Sequence, residues 1–531
     1  MLFNSYVFIF AFFPIVFFGF FRIGKYSHEL ASLWLAAASL FFYGWWDVRF
    51  VGLLLMSIAF NYCAGYLIGN GLQIVNRSKW LLIGAIVINL LLLGHFKYSN
   101  FLIENLNHLI GAEVPVREVF LPLGISFFTF TQIAFLVDTY QGKVKEYNFI
   151  HYLLFVTYFP HLIAGPVLHH KEMMPQFARR TTCQVNWENV SVGLAIFALG
   201  LFKKVAIADS MAEFSSPIFD AVQAGRQPMF VESWVGALSY TLQLYFDFSA
   251  YSDMAVGLSL MFNVRLPMNF NSPYKATSII EFWRRWHMTL SRFLRDYLYI
   301  PLGGGRNTKV RRYFNLMITM VLGGLWHGAG WTFIVWGGMH GLYLMINHGW
   351  RNIAQVMGIS FTGKFSNLIS GILTFLAVVI GWVFFRAESL IAALDLLSGM
   401  AGLNGVSVHQ VFAKYLPAIS QLLHCDVSLG GFSPILGPVV HIAMLQILLG
   451  LCLVFLAPNT YQTMQRFRPT LEYVEDSAVV NNEFSGASRS RLFGFEWKPT
   501  KFQGALYGVL FYMALSYMAS ASKSEFLYFQ F

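Results

Sequence analysis

The sequence predicts an all-α polytopic membrane protein of about ten to twelve spans, and three observations support this prediction. Hydrophobic residues make up 56% of the 531 residues and aromatic residues 18%, whereas charged residues contribute only 12%. A soluble chain of this length cannot bury so much apolar surface. The apolar residues also form runs long enough to span or nearly span a lipid bilayer, and short basic loops separate these runs.

The formal net charge of +10 does not indicate a nucleic-acid-binding protein. The lysines and arginines lie in loops between apolar runs, which is the pattern that keeps loops in the cytoplasm. Neither a contiguous basic face nor a nucleic-acid-binding motif is present. The four cysteines form no CxxC pair and no Cys/His cluster, so we predict neither a disulfide framework nor a metal site.

The amino-terminal part supplies spans with little polar character. Residues 6–21 are apolar and precede Arg22 and Lys25 without a small-residue cleavage site, which predicts a retained first span with an extracytoplasmic amino terminus. Proline, glycine and hydroxyl residues interrupt residues 119–137, so this helix either lines a cavity or is a kinked packing helix. The loops between these spans carry Lys97 among other basic residues, and the remaining early spans are predicted at 31–46, 51–69 and 80–96.

The middle of the chain combines apolar spans with buried acidic residues. Spans are predicted near 191–206 and 229–248, and the second of these leads into LYFDFSAYSDMAVGL, where Asp247 and Tyr251 are neighbours at i, i+4. A buried carboxylate needs a cation, and we predict a structural ion pair rather than catalysis for Asp247. The nearest cations in sequence are Arg284, Arg285, Arg292 and Arg295.

We treat residues 1–531 as a single membrane domain with its core at 119–400. Residues 457–503 form a polar segment that we predict to be a cytoplasmic loop. A final span at 504–520 would place the carboxy terminus outside, followed by an aromatic tail at 521–531 that is typical of an interfacial belt. Other late spans are predicted at 366–385, 409–424 and 434–456.

Two histidines stand out in the stretch from 274 to 341, where polar residues interrupt an apolar chain. A helix from Glu281 to Tyr299 would place His287, Ser291 and Arg295 on one stripe, with Arg284 one turn earlier. Desolvating such residues is costly, so each needs a partner or a function.

His327 would lie on a second helix, with Trp331 one turn further along the same face. His340 follows 13 residues later, or roughly 220° around an ideal helix. The two histidines therefore face one cavity only if Gly337 and Gly338 bend the chain. We predict that one acts chemically and that the other is a scaffold residue.

A histidine in a low-dielectric site can serve as a general base, because its unperturbed pKa of about 6.5 lies near neutrality. Transfer of an acyl group from a thioester to a hydroxyl needs such a base and donors for the oxyanion. His327 as the base, with His287 and Ser291 across the cavity, would supply this geometry. The motifs of serine hydrolases, metalloproteases, P-loop proteins and dinucleotide-binding proteins do not occur.

A basic loop, GGGRNTKVRR at residues 303–312, follows the first of these helices. The loop fits the positive-inside pattern. If it is close to the site, its charges could also hold the phosphates of a coenzyme A donor. These charges belong to Arg306, Lys309, Arg311 and Arg312.

The chain resembles the membrane-bound O-acyltransferases, and within them the bacterial branch that contains the alginate O-acetylases. The resemblance covers most of the chain and is specific, because the matching segments are long, charged and tryptophan-rich. The segments are LPLGISFFTFTQIAFLVDTY (121–140), FPHLIAGPV (159–167), LYFDFSAYSDMAVGL (244–258), EFWRRWHMTLSRFLRDYLYIPLGGGR (281–306), GGLWHGAGWTFIVWGGMHG (323–341) and GWVFFRAESL (381–390).

The resemblance implies a ring of tilted helices around a transmembrane tunnel, with short re-entrant helices and acetyl-CoA as the cytoplasmic donor. The family's near-invariant histidine corresponds to His327 and its second polar position to His287, which makes His340 structural. The bacterial branch implies the inner membrane, an envelope polysaccharide such as alginate as final acceptor, and a periplasmic SGNH-type, hydrolase-like acetyltransferase as partner. The aromatic tail resembles a motif in related export systems, which makes Tyr528 a candidate acyl carrier.

Three alternatives remain open from the sequence. The first is a D-alanyl or longer-acyl transferase to another envelope polymer. The second, from a different class, is a transporter or acyl channel in which His287 and His327 relay protons. The third is a structural scaffold for a secretion complex, which does not explain why costly polar residues surround two histidines. No bound cofactor is predicted in any of these cases.

Overall fold

The helical prediction is confirmed in a computed structural model, which describes residues 1–70, 75–111, 113–116, 119–144, 148–163, 165–306, 308–358, 363–408, 410–417, 427–429, 431–471, 496–520 and 526–527. Within these ranges helices dominate. Two short strands, β1 (Val406–Val408) and β2 (Val427–Leu429), form a parallel pair with Val406 opposite Val427. The protein is therefore an all-α protein.

Twenty α-helices follow one another in the described ranges, and several are too short to cross a bilayer. They are α1 (Phe13–Gly24), α2 (His28–Gly44), α3 (Arg49–Asn70), α4 (Val75–Ile110), α5 (Ile125–Tyr140), α6 (Phe149–Thr157), α7 (Phe159–Leu162), α8 (His170–Phe177), α9 (Trp187–Phe202), α10 (Asp209–Gln223), α11 (Phe230–Met261), α12 (Ile279–Arg285), α13 (Met288–Leu294), α14 (Lys309–His327), α15 (Trp331–Val356), α16 (Lys364–Arg386), α17 (Leu390–Met400), α18 (Val440–Leu456), α19 (Thr460–Thr463) and α20 (Lys501–Ser520).

Short π-helical and 3₁₀-helical segments join or extend these helices. π-helical segments lie at Phe8–Phe12, Lys203–Ala208 and Arg295–Tyr299. Such π turns are rare and tend to mark functional positions, because they redirect side chains without ending the helix. The 3₁₀ segments are Arg180–Cys183, Pro273–Lys275, Gln410–Tyr415, Gly437–Val439 and Gln465–Phe467.

The apolar helices confirm a multi-pass membrane protein. By length and composition, five helical stretches of the described chain can cross a membrane, and two shorter apolar stretches, Phe8–Gly24 and Leu390–Met400, accompany them. The predicted span at 409–424 is wrong in its described part, because Gln410–Tyr415 forms a 3₁₀ turn. The five stretches are Arg49–Asn70, Arg77–Ile110, Trp187–Gln223, Lys364–Arg386 and Gly437–Leu456.

Helix α11 is the centre of the packed core, since its residues from Ser239 to Met261 are buried without interruption. It lies directly against α9, where glycines allow close approach. A Cβ at Gly193 would lie 2.5 Å from the carbonyl oxygen of Gly257, and a Cβ at Gly200 would lie 2.9 Å from that of Ala250. Small residues at such crossings bring membrane helices into backbone contact. This packing fixes the position of the polar residues that α11 carries.

The predicted polar segment at 457–503 lies partly outside the described residues. Its described ends are held by hydrogen bonds to the rest of the chain and to each other: Lys275 Nζ donates to the carbonyl oxygen of Ala457 at 2.7 Å. Within the segment, the backbone N–H of Trp497 donates to the carbonyl oxygen of Thr463 at 3.0 Å. Its membrane side stays a prediction.

Candidate functional site

His327 is the last residue of α14, and the chain reverses immediately after it. The turn uses Gly328–Gly330, after which α15 returns alongside α14. Helix α15 runs without a break through Gly337 and Gly338. Gly337 instead allows the two helices to pack, because a Cβ there would collide with the carbonyl oxygen of Met320.

The imidazole of His327 is buried among aromatic rings. Its ring centroid lies 4.9 Å from that of Trp326, 5.2 Å from that of Trp336 and 5.2 Å from that of Phe385, and all three contacts are edge-to-face. The residue is only 4% exposed. These large rings exclude bulk water and hold the imidazole in one orientation.

His340 lies on the other side of Trp336, with its ring centroid 4.9 Å from that of the tryptophan. The indole Nε1–H of Trp283 donates to His340 Nδ1 at 3.3 Å. On the opposite edge of the ring, a Cβ at Gly381 would lie only 3.0 Å from His340 Nε2. This tight enclosure fixes the orientation of the ring, and the scaffold role of His340 stays a prediction.

His287 interrupts the helix that the sequence predicts from Glu281 to Tyr299. Its backbone has φ 42° and ψ 53°, which places it in the left-handed region, so α12 ends before it and α13 begins after it. The continuous-helix prediction is therefore wrong. A left-handed residue other than glycine costs free energy and persists where the surroundings require it, often at functional sites.

The side chain of His287 is fixed by Asn269, a residue that the sequence reasoning missed. His287 Nδ1 lies 3.0 Å from Asn269 Oδ1, and the Thr289 hydroxyl donates to the same oxygen at 2.9 Å. Because Asn269 Oδ1 is an acceptor, Nδ1 of the neutral imidazole carries the proton and Nε2 is the acceptor. The sequence signal for Asn269 was its place as a polar residue beside an apolar run, in PMNFNSPY (267–274).

The two histidines share one aromatic neighbour. Both rings contact Trp326, with centroid separations of 6.4 Å from His287 and 4.9 Å from His327. A tryptophan common to both residues couples their positions. The predicted hydroxyl neighbour Ser291 points elsewhere, because its hydroxyl donates to the carbonyl oxygen of Trp286 at 3.3 Å.

Three further predicted neighbours also have other surroundings. Arg295 forms an ion pair with the adjacent Asp296 at 2.7 Å, and Arg284 is exposed. Trp331 is 55% exposed, and its Nε1–H donates to Asn105 Oδ1 at 2.9 Å. The predicted stripe is absent because the helix breaks at His287, and Trp331 leaves the His327 face because α14 ends before it.

The basic loop does not lie beside His327, contrary to the sequence-based prediction. The last residues of the loop form the start of α14, which begins at Lys309, whereas His327 is the last residue of that helix. An ideal helix of this length separates the two by about 27 Å. The four candidate donor-phosphate residues, Arg306, Lys309, Arg311 and Arg312, therefore lie near the opposite end of α14.

Asp247 forms an ion pair, as predicted, but with Lys204 rather than with an arginine. Lys204 Nζ lies 2.7 Å from Asp247 Oδ1. The neighbouring Lys203 pairs with Asp253 at 2.8 Å. Both lysines lie at the start of the π segment from Lys203 to Ala208, and both reach carboxylates on α11.

Lys97 holds the carboxyl end of α14 and was missed because the sequence placed it in a loop. Helix α4 continues to Ile110, so Lys97 lies inside it. Its Nζ donates to the carbonyl oxygens of Trp326 at 2.6 Å and His327 at 3.0 Å, and the Tyr98 hydroxyl donates to that of Leu325 at 2.8 Å. A cation at a helix carboxyl end satisfies its free carbonyl groups and complements its dipole.

His327 lines two cavities. The larger one holds about 50 Å³ of internal space, and Trp46, Lys97, Gly124 and Ser126 are among its other lining residues. The smaller one is a gap among the aromatic rings of Trp286, Trp336, Trp382 and Phe385, with Leu244, and it has no room for a water molecule. The imidazole is therefore reached from the larger cavity.

Removing the charge of Lys97 tests whether the carboxyl end of α14 must be held in place. We expect Lys97→Met to lower acyl transfer by about tenfold, because each charge-assisted hydrogen bond contributes about 1.5–3 kcal/mol and its loss frees His327. Transfer rates at matched expression provide the measurement. Lys143→Met, at a half-exposed lysine 3.8 Å from Asp138, is the matched control. Equal rates in both variants would contradict the holding role.

The known proteins that are similar to this chain identify its family. The model of the membrane-bound O-acyltransferase family matches residues 92–387, which include both histidines. The chain belongs to this family. A peptidoglycan O-acetyltransferase from Helicobacter pylori is 45% identical over 435 residues, which cover 77% of this chain and 81% of that protein.

Two other relatives of this O-acyltransferase differ in the polymer that their names state. A probable alginate O-acetylase from Pseudomonas aeruginosa is 42% identical over 435 residues, covering 78% of this chain and 80% of the relative. A teichoic acid D-alanyltransferase from Streptococcus thermophilus is 28% identical over 238 residues, covering 43% and 57% respectively. The protein is therefore a membrane-bound O-acyltransferase with O-acetyltransferases among its relatives.

Proposed function

We propose that this O-acyltransferase takes an acetyl group from cytoplasmic acetyl-CoA and passes it across the bacterial inner membrane for O-acetylation of an envelope polysaccharide. The observation that carries the proposal is the position of His327. Its imidazole is held in an aromatic enclosure at the end of α14 and lines the larger cavity. A base placed there can take the proton of an acceptor hydroxyl that enters this cavity.

His327 is the general base of the proposed step. It removes the proton from the acceptor hydroxyl while the oxygen attacks the thioester carbonyl carbon. The new C–O bond forms, the C–S bond breaks, and the proton passes to the leaving thiolate, so that free coenzyme A thiol and an acetyl ester result. His287, with its Nδ1 proton bound by Asn269, presents Nε2 as an acceptor that orients a hydroxyl.

The positions of the basic residues along the chain support a site in which the acceptor enters from outside the cytoplasm. Arg22 and Lys25 precede α2, and the basic loop precedes α14, so both helices start on the proposed cytoplasmic side. Trp46 follows α2 and His327 ends α14, and both line the larger cavity. This cavity therefore opens towards the outside, with both chain termini extracytoplasmic. The basic loop then faces the cytoplasm, where it can contact donor phosphates.

The relatives favour acetyl over D-alanyl transfer. Relatives whose names state O-acetylation are 42% and 45% identical, whereas the teichoic acid D-alanyltransferase is 28% identical and is matched over a shorter part. We therefore propose acetyl as the group and an envelope polysaccharide, such as alginate, as the final acceptor. A periplasmic SGNH-type acetyltransferase is the proposed partner, and D-alanyl or longer-acyl transfer is the second candidate. The transporter alternative is not retained.

A comparison of two acyl donors tests which group is transferred. Purified protein receives radiolabelled acetyl-CoA, and release of free coenzyme A thiol and label on the chain are measured. Label and thiol release with acetyl-CoA, but not with a long-chain acyl-CoA at equal concentration, are expected. Preferential use of the long-chain donor would replace acetyl transfer by the second candidate.

We further propose Tyr528 as the residue that accepts the acetyl group before it passes to the partner. Tyr528 lies outside the described residues, and the two residues Phe526 and Leu527 that precede it are buried. In this order of reaction steps, the phenol oxygen of Tyr528 accepts the acetyl group as an ester and later passes it to the next acceptor.

Tyr528→Phe is expected to abolish polysaccharide acetylation, because the substitution removes only the accepting oxygen. Acetylation of the polymer in cells provides the measurement, and Tyr517→Phe, on α20, is the matched control. Normal acetylation with Tyr528→Phe would show that the tail carries no acetyl group.

A further inference from the structure

The last described residues of the chain are inside the helical core rather than at its surface. Phe526 is 3% and Leu527 6% exposed. The ring centroid of Phe526 lies 4.7 Å from that of Tyr251 and 6.1 Å from that of Phe248. The prediction of an interfacial aromatic belt is therefore wrong for Phe526, because a belt residue would contact the membrane interface.

The backbone of this segment is hydrogen-bonded to a charged side chain. The N–H of Leu527 donates to Asp247 Oδ2 at 3.0 Å. The other carboxylate oxygen, Oδ1, lies 2.7 Å from Lys204 Nζ, which in turn lies 2.7 Å from Asp209 Oδ1. Hydrogen bonds to an ionised carboxylate are about twice as strong as neutral ones. The two oxygens of Asp247 thus join the tail to the ion pair.

Little water reaches this group of charges. The ammonium group of Lys204 contacts the carboxylates of Asp209 and Asp247. Asp247 is 1% exposed and Lys204 3% exposed. A hydrogen bond from a backbone N–H to a carboxylate is stronger where water is excluded.

The segment is also close to the reaction site. Phe248, which contacts Phe526, lies edge-on to His287 with centroids 4.7 Å apart and an interplanar angle of 90°. Asp247 and Phe248 are adjacent on α11, so the same turn of helix holds the tail backbone and forms part of the wall of the histidine. Displacement of the tail would therefore change the surroundings of His287.

We propose that Asp247 and Lys204 form a latch that holds Phe526 and Leu527 in the core beside Phe248 and His287. Asp247 is then a positioning residue, which acts through the tail and not on the substrate. The effect of the latch on acetyl transfer rests on the proposed function. The latch itself is independent of the donor, the transferred group and His327.

Cysteine accessibility tests the latch directly. Leu527→Cys is introduced after the four natural cysteines have been replaced by alanine, and the rate of maleimide labelling is measured on the full chain in detergent. Leu527→Cys keeps the backbone N–H, so labelling is expected to be slow. Asp247→Ala should raise the labelling rate about tenfold or more, because the charge-assisted hydrogen bond is lost. Asp247→Asn, which keeps an acceptor but no charge, should give an intermediate rate.

Asp253→Ala is the matched control. Asp253 is 2% exposed, lies on the same helix and pairs with Lys203 at 2.8 Å, so its loss also leaves a partly buried lysine without this carboxylate. Labelling of Leu527→Cys should stay slow in this variant. An unchanged rate with Asp247→Ala, or an equal rise with Asp253→Ala, would overturn the latch. If Asp247→Ala does not fold, Lys204→Met provides the second test and should also speed labelling.

Acetyl transfer tests whether the latch matters for the reaction. With the latch weakened by Asp247→Asn, acetyl label on the chain should fall while the melting temperature stays near that of the parent. Normal acetyl label together with a raised rate of cysteine labelling would overturn the effect of the latch on transfer. Failure of the carrier proposal is seen separately, since Tyr528→Phe would then leave polymer acetylation intact whatever the labelling rates are.

Discussion

Replacement of His327 by alanine is expected to lower acetyl transfer by about 10²–10⁴-fold. The imidazole is the proposed base, and the rings of Trp326, Trp336 and Phe385 that surround it carry no basic group that could replace it. Polysaccharide acetylation in cells and thiol release by the purified protein both measure the effect. Expression and membrane insertion should be retained, because neighbouring helices enclose the site.

His340→Gln is the control for this experiment. His340 is equally enclosed, and a glutamine can still accept the hydrogen bond from Trp283 Nε1. We expect its transfer rate to stay within a few-fold of the parent. Full activity of His327→Ala would refute the role of His327, and equal losses in both variants would reduce His327 to a packing residue.

Gly324→Ala is expected to destabilise the protein by about 3 kcal/mol and to remove most activity. A Cβ at Gly324 would collide with the backbone carbonyl oxygen of Phe333, so α14 and α15 would have to separate. A backbone atom cannot move aside as a flexible side chain can. Because His327 lies one turn beyond Gly324, the separation would also displace the proposed base.

Gly338→Ala, on α15, is the matched control. A Cβ at Gly338 would meet only Val321 Cγ2, at 4.0 Å, which is ordinary contact. Both substitutions gain the same helix propensity of about 1 kcal/mol. The melting temperature of the purified protein should fall for Gly324→Ala and stay level or rise for Gly338→Ala. Equal melting temperatures would contradict the close packing of the two helices.

Composition and apolar runs predicted the all-α membrane fold, because bilayer thickness limits what such runs can form. The break at His287 was not predicted. The residues from Glu281 to Tyr299 have good helical periodicity, and the left-handed turn results from tertiary contacts with Asn269, which lies 18 residues earlier. Local sequence cannot show such a contact, so the stripe that grouped Ser291 and Arg295 with His287 was wrong.

The functional site, too, could be predicted only in part from the sequence. The histidines were identified because buried polar groups stand out in an apolar chain. Lys97 was not, because a lysine at the end of an apolar run is typical of a loop. Its function depends on α4 continuing to Ile110 and on α14 ending beside it, which are facts about two distant segments. The ion pair of Asp247 was predicted in kind, but its partner Lys204 lies in a π turn that sequence does not reveal.

The most direct test of the central claim is a single-turnover measurement of coenzyme A thiol release by the purified protein. Excess protein, whose Tyr528 is the proposed acetyl acceptor, is mixed with acetyl-CoA, and free thiol is followed in the parent, in His327→Ala and in His340→Gln. The account predicts a rapid release in the parent and in His340→Gln, and none above background in His327→Ala. Rapid release by His327→Ala would contradict the assignment of His327 as the general base of acetyl transfer.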